Sequence, residues 1–166
     1  HFGLIVSGKS LTGKFFSRTL PAAMQALNED RSPEAQMRAC VTYHQIVEGV
    51  LAEVGYEIFY TCLDKDGILP GLRDGLRHIQ QDESRHIAFG TYLAQRLISD
   101  HPHLETVFED EMEKLHEETV NSSTDYFASY GGQVPFGVDP ERFRTLAEDL
   151  FQRRKRAVLK GHLVPA

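Results

Sequence analysis

In two stretches of the sequence, a set of mostly apolar residues recurs at alternating steps of four and three, which we call a stripe. This is the spacing of a helix face that packs against neighbouring helices. The first stripe runs through Met37, Val41, His44, Glu48, Leu51, Gly55, Ile58 and Cys62. The second runs through Leu72, Leu76, Ile79, Glu83, His86, Gly90, Leu93 and Leu97. No stretch alternates polar and apolar residues as a β-strand does. The pattern therefore predicts an all-α protein in which two long helices face each other.

Start and stop signals place four long helices and one short helix. Ser32 is an expected N-cap, with Pro33 at the first helical position, and this helix reaches about Cys62 before a turn sequence at 64–67. The other long helices are predicted over about 70–99, 102–129 and 139–161, and a shorter one over 20–27. Helices joined by short connections lie antiparallel, so the sequence predicts an up-and-down bundle.

Composition limits the class of protein. With 166 residues, 41% of them hydrophobic and 25% charged, residues 1–166 are expected to form one ordinary globular domain. A net charge of −6 argues against a nucleic-acid partner. No apolar run approaches the roughly 20 residues that a membrane span needs. We expect neither nucleic-acid binding nor a transmembrane segment.

The two cysteines indicate the compartment. Cys40 and Cys62 fall within one predicted helix, about 33 Å apart at about 1.5 Å per residue, whereas a disulfide needs Cα atoms within about 7 Å. Nothing resembles a secretory signal, so we expect a reducing, cytoplasmic location.

Ligand-type residues occupy the middle of both stripes. Glu48 interrupts the first, and a carboxylate there must be neutralised, paired or coordinated. Glu83 and His86, at Glu-x-x-His spacing, lie on one face of the second helix. The turn between the helices centres near Asp66, 18 residues after Glu48 and 17 and 20 before Glu83 and His86. In an antiparallel hairpin the three therefore meet at one level, with oxygen and nitrogen donors that suit iron or manganese better than zinc.

A second Glu-x-x-His pair provides an internal comparison. Glu113 and His116 lie one position off the apolar stripe of their helix, and we expect them on a solvated polar face. A purely structural ion cluster is the alternative interpretation for Glu48, Glu83 and His86. His44, one turn before Glu48, is expected to be a hydrogen-bonded core histidine and not a ligand, with a bond to a liganding carboxylate as the intermediate case.

Two tyrosines and two glycines flank Glu48 and the Glu83–His86 pair. Tyr43 and Tyr56 are apolar filler by default, but their proximity to Glu48 also makes them candidates for oxidation. Tyr43 lies five residues before Glu48, about 140° around an α-helix, which predicts a position beside the ligands but off the central stripe. Gly55 and Gly90 mark either close helix packing or room for a ligand.

A dinuclear carboxylate site takes a Glu and a Glu-x-x-His from each of two helix pairs. This sequence provides one such set and no convincing second set, and residues 1–20 show no helix start at the terminus. We therefore interpret the chain as the second metal-binding half of a domain whose first half would precede His1.

Residues 43–50 (YHQIVEGV) and 82–90 (DESRHIAFG) resemble the second metal-binding half of the ribonucleotide reductase small-subunit-like ligand-binding oxidases. The resemblance extends through the fourth long helix. It implies a ferritin-like fold, a manganese/iron cofactor with di-iron as the alternative, O₂ as oxidant, a long-chain fatty acid against the metals, and a homodimer. It also implies that Tyr43 becomes ether-linked to a valine that would precede His1.

Two other functions remain open at this point. A ribonucleotide reductase small subunit would generate a radical and would need a flexible C-terminal docking tail, of which residues 164–166 show no sign. A metal-storage or purely structural bundle would need neither a substrate pocket nor an oxidised tyrosine.

Overall fold

The computed structural model describes residues 13–132, 134 and 137–161 and contains helices and no strand within them. A π-helical turn, Phe15–Thr19, leads into the first α-helix. The elements that follow are α1 (Leu20–Glu29), α2 (Pro33–Cys40), a π-helical segment (Val41–Ala52), α3 (Glu53–Asp66), α4 (Pro70–Asp100), α5 (Leu104–Ala128) and α6 (Pro140–Gly161). The predicted all-α class is confirmed. The interpretations of residues 1–12 and 164–166 lie outside the described residues.

The long helices begin and end where the sequence signals place them. The Ser32 side chain accepts a hydrogen bond from the Ala35 amide at 3.2 Å, so it caps the first long helix. Gly67 ends that helix in the left-handed conformation at φ 60°, and the Ile68 amide bonds back to the Leu63 carbonyl. Only residues 67–69 connect α3 to α4, so the two helices form a tight antiparallel hairpin.

The first long helix is continuous from residue 33 to 66, but its middle third is π-helical. This segment, Val41–Ala52, carries Glu48, and the sequence pattern did not predict it. Each π turn holds one extra residue, with bonds from i+5 to i in place of i+4 to i. Arg154 of α6 donates from Nε to the Gly49 carbonyl at 3.3 Å and so gives one carbonyl of the segment an additional partner.

The core forms where α2, the π segment and α4 to α6 meet. Its fully buried members include Met37, Ile46, Ile98, Phe108, Met112, Leu115, Phe151 and Val158. Packing of α4 in this core is confined to its C-terminal half, at Ile87, Gly90, Ala94, Leu97 and Ile98. Burial of these apolar side chains is the main stabilising term of the bundle.

The N-terminal half of α4 does not pack as its stripe predicts. Leu72 and Ile79, expected at a helix interface, are 46% and 51% exposed, and no helix among the described residues covers them. Farther along α4, Phe89 is 56% exposed beside this face, and Tyr92, about 160° around the helix from Leu72, is 62% exposed. We call Leu72, Ile79 and Phe89 the apolar row of α4. The face of α4 that the sequence predicts to be a helix interface is therefore exposed and is not packed against another helix.

None of the helices in the described ranges is long and apolar enough to cross a membrane. The two cysteines lie on one continuous helix and do not form a disulfide with each other, as the sequence predicts.

Alkaline reactivity should distinguish the two thiols. Cys40 is buried, and burial raises the pKa of its thiol from 9.0 to about 12. Because the thiolate is the reactive species, only about one Cys40 in ten thousand is reactive at pH 8. We expect a disulfide reagent to modify one thiol per native chain, at Cys62, and both after unfolding.

The raised pKa of Cys40 also affects the free energy of unfolding. The contribution of the neutral Cys40 thiol is full below pH 9 and is lost toward pH 12.

Candidate metal centre

Glu48, Glu83 and His86 come together at the level that the hairpin geometry predicts. One potential ligand atom from each side chain lies within 4.8 Å of the other two. Among the described residues this is the one group of three or more carboxylate, imidazole or thiol side chains placed to share a metal ion. The π segment positions Glu48, and α4 positions Glu83 and His86 one turn apart.

The imidazole of His86 connects the two carboxylates. Its Nδ1 lies 3.2 Å from Glu48 Oε1 and 3.2 Å from Glu83 Oε2, so one ring nitrogen faces both ligand-type oxygens. Glu48 is only 3% exposed, whereas His86 is exposed. The centre is therefore closed on the side of the core and open on the side of the apolar row of α4.

His44 contacts Glu48 from the other side. Its Nδ1 lies 2.7 Å from Glu48 Oε2, which is the length of a hydrogen bond to a charged acceptor. Each oxygen of the buried Glu48 carboxylate thus faces one imidazole, His86 at Oε1 and His44 at Oε2. The expectation of a hydrogen-bonded histidine is confirmed, with a ligand-type carboxylate as its partner.

Both tyrosines lie within the electrostatic influence of the carboxylates. Partial burial, followed by the charges of Glu48 and Glu83, raises the pKa of the Tyr43 phenol. Burial, followed by the charges of Glu83 and Glu53, raises the pKa of Tyr56 to about 12. Both side chains therefore remain neutral phenols with their O–H protons at physiological pH.

The π segment changes the expected position of Tyr43. In an α-helix its five-residue spacing from Glu48 would place it about 140° away. In a π-helix residues five apart are hydrogen-bonded neighbours on successive turns, so Tyr43 lies closer to the Glu48 side of the helix. The charge of Glu48 contributes, after burial, to the raised pKa of the Tyr43 phenol.

The two stripe glycines have different surroundings. A Cβ on Gly90 would lie 2.1 Å from His44 Cβ, so this glycine permits close packing of α4 against the π segment. A Cβ on Gly55 would meet no atom within 4 Å. Gly90 therefore marks close helix packing, whereas Gly55 borders open space.

The second Glu-x-x-His pair forms no metal-ligand group. Glu113 forms a 2.9 Å ion pair with Lys155, and His116 Nε2 lies 2.8 Å from Glu148 Oε2. The His116 ring also stacks on Phe151 at a centroid distance of 4.0 Å. The expectation of a solvated face is wrong for His116, which is half-buried, because α6 packs over it.

The donor set suits manganese or iron. Two carboxylates and one imidazole are hard oxygen and intermediate nitrogen ligands, and no thiolate is present to favour zinc or an iron–sulfur cluster. Glu-x-x-His on one helix and Glu on its neighbour are half of the ligand set of a dinuclear carboxylate centre.

The family model described as ribonucleotide reductase, small chain, matches residues 14–148, which is more than half of the 166 residues. The chain belongs to the ribonucleotide reductase small-chain family. In this family the fold is a ferritin-like helical bundle, as the sequence predicts.

Solved structures show the same relationship. An R2-like ligand-binding oxidase with aerobically reconstituted Mn/Fe cofactor is 32% identical and superimposes with a TM-score of 0.84. The match covers 95% of this chain and 56% of that one. An R2-like ligand-binding oxidase from Sulfolobus acidocaldarius is 32% identical, with a TM-score of 0.78 over 93% of this chain and 51% of that one. This small-chain family member therefore spans little more than half the length of these relatives.

Proposed function

We propose that this chain is the second metal-binding half of an O₂-activating manganese/iron carboxylate oxidase. The observation that carries the proposal is the convergence of Glu48, Glu83 and His86 at one level of a ferritin-like hairpin. The similar solved structures are R2-like ligand-binding oxidases with Mn/Fe cofactors, and di-iron is the alternative pair. A bound metal pair supplies the electrons that reduce O₂, while the protein supplies orientation and electrostatics.

The residues of this chain hold and shape that centre. Glu48 and Glu83 offer one oxygen each, and His86 offers Nδ1, the ring nitrogen that faces both carboxylates. Coordination requires His86 to be neutral, with the proton on Nε2. The His86 side chain is 56% exposed, so the ring is partly accessible to solvent or to a covering helix.

The apolar row of α4 is where we place the remaining ligands. Leu72, Ile79 and Phe89 lie on the same helix as Glu83 and His86 and are each about half exposed. A second helix pair that covers this row would bury its apolar area and bring a further Glu and Glu-x-x-His to the open side of the centre. Residues 1–166 would then form one domain with that pair.

We further propose the finer properties that the resemblance implies. The substrate or resident ligand would be a long-chain fatty acid, which the relatives' description as ligand-binding oxidases supports. A homodimer in the cytoplasm is the expected state of the full-length protein. Tyr43 is the side chain that we expect the centre to oxidise.

The 166-residue chain alone should bind at most one incompletely coordinated metal ion. Three protein ligands leave a manganese or iron ion short of a full coordination shell and provide nothing for a second ion. Equilibrium dialysis against Mn²⁺, followed by elemental analysis, should give a ratio of one or less per chain. Two metal ions per chain, both held by the described residues, would contradict the proposal that this chain provides half of a dinuclear site.

A ribonucleotide reductase small subunit is the second candidate, because the matching family model carries that description. It differs in the fate of the tyrosine. Aerobic loading of a reductase subunit should leave an organic radical that electron paramagnetic resonance detects, whereas the oxidase should leave a covalent product. A non-catalytic bundle should bind metal and leave every tyrosine unmodified.

A further inference from the structure

Among the described residues, His44 is the side chain outside the three-residue group that lies within hydrogen-bond distance of a ligand-type oxygen. Its Nδ1 lies 2.7 Å from Glu48 Oε2, and the other oxygen of Glu48 faces His86. His44 itself is not part of the group that converges on one point. Because an ionised carboxylate only accepts hydrogen bonds, Nδ1 of His44 must be the donor.

Three neighbours, Tyr43, Phe89 and Gly90, pack against the His44 side chain. Tyr43 and Phe89 meet it edge-on, with centroid distances of 5.1 and 5.5 Å. Gly90 provides the space for its base, since a Cβ there would lie 2.1 Å from His44 Cβ and 2.5 Å from Cγ. Cys40, one turn earlier, donates from Sγ to the Gly90 carbonyl at 3.2 Å. The π segment and α4 therefore approach most closely at the point that seats His44.

We propose that His44 is a positioning residue that fixes the Glu48 carboxylate as a one-oxygen ligand, and that Gly90 is required for this contact. The inference rests on the proposed metal-binding role of Glu48. Oε2 is held by His44, and it is Oε1 that faces His86. Loss of the hydrogen bond would leave a buried oxygen without its partner and the carboxylate free to rotate.

The contact between α4 and the π segment depends on two residues, Gly90 and His44. Glycine at 90 removes the steric barrier, and histidine at 44 uses the space to reach Glu48. A larger residue at 90 must displace His44, because both contacting atoms are at the stem of the side chain and not at a flexible end. Substitution at either position should therefore give the same defect in metal binding.

The test compares His44→Phe, His44→Gln and Gly90→Ala in the full-length protein, with Gly55→Ala as the matched glycine control. Mn²⁺ affinity is measured by electron paramagnetic resonance titration, and folding by circular dichroism. His44→Phe and Gly90→Ala should weaken affinity about tenfold to a hundredfold and alter the spectrum of bound Mn²⁺. His44→Gln should recover part of the loss, because its amide donates a hydrogen bond. Gly55→Ala, with no atom near its new Cβ, should match the wild type.

The outcomes separate this inference from the proposed function. Unchanged affinity in His44→Phe, while His86→Ala loses metal, would overturn the role of His44 alone. Equal affinity of the Gln and Phe variants would overturn the hydrogen-bond mechanism. If Gly90→Ala does not fold, the two His44 variants decide the question. Metal retained by His86→Ala would instead overturn the proposed centre.

Discussion

Replacement of His86 by alanine is expected to remove most of the metal that the full-length protein binds. His86 Nδ1 lies 3.2 Å from an oxygen of each carboxylate, so the imidazole occupies the centre of the ligand group. Its loss removes one donor and leaves two carboxylates facing each other without the group between them. Second-sphere changes alone cost about tenfold to a hundredfold in affinity, and loss of a ligand should cost more.

Elemental analysis of the purified variant measures this directly, and the protein contains its own control. His116 belongs to the other Glu-x-x-His pair, but it bonds to Glu148 and stacks on Phe151. His116→Ala should leave metal content unchanged and lower thermal stability, because a half-buried contact between α5 and α6 is lost. Wild-type metal content in His86→Ala would show that these residues are not the ligands.

The sequence predicts the helices and the level of the centre because both follow from local signals and simple counting. Ser32, Pro33 and Gly67 define helix ends by backbone chemistry that operates within a few residues. The hairpin then fixes relative height, since each α-helical residue between the turn and the centre adds about 1.5 Å. Glu48, Glu83 and His86 meet because these two facts combine, without any knowledge of the rest of the fold.

The features that sequence analysis missed depend on contacts between distant segments. The π segment has no recognised local signal, and the Arg154 side chain that bonds its Gly49 carbonyl lies 105 residues later in the chain. The half-burial of His116 depends on α6, and the exposure of Leu72 and Ile79 depends on which helices cover α4. Helical periodicity shows that a face is apolar but does not show what packs on it.

The role of Gly90 illustrates the same limit at the scale of one residue. Sequence analysis left close packing and ligand space as equal alternatives for Gly55 and Gly90. In the structure, a Cβ on Gly90 would lie 2.1 Å from His44 Cβ, whereas a Cβ on Gly55 would meet no atom within 4 Å. Nothing in the residues around each glycine distinguishes the two, because the deciding atom belongs to another helix.

Aerobic loading of the full-length protein with manganese and iron is expected to modify Tyr43 covalently. Tyr43 lies on the same π segment as Glu48, and partial burial together with the charge of Glu48 raises the pKa of its phenol. Its phenol therefore retains the O–H hydrogen that oxidation must remove. The Tyr43 ring meets the His44 ring at a centroid distance of 5.1 Å and does not belong to the ligand group, which suits a side chain that is oxidised and does not coordinate.

The expected product is an ether bond between the Tyr43 oxygen and a carbon of a valine from the covering helix pair. The bond forms as one hydrogen leaves the phenol and one leaves the carbon, so the protein loses two electrons and two protons, and O₂ is the oxidant. Intact-mass spectrometry should show a product two hydrogen atoms lighter, and peptide mapping should place Tyr43 in a cross-linked peptide.

Tyr43→Phe and Tyr56→Phe are the paired variants that test the site of oxidation. Tyr43→Phe should retain the unmodified mass after exposure to air, because it has no phenol oxygen to link. Tyr56→Phe should form the product normally, although the pKa of Tyr56 responds to Glu83 in the same centre. An unmodified Tyr43 peptide after aerobic loading would exclude the cross-link and favour the radical-generating alternative, which resonance spectroscopy of the same sample would then detect.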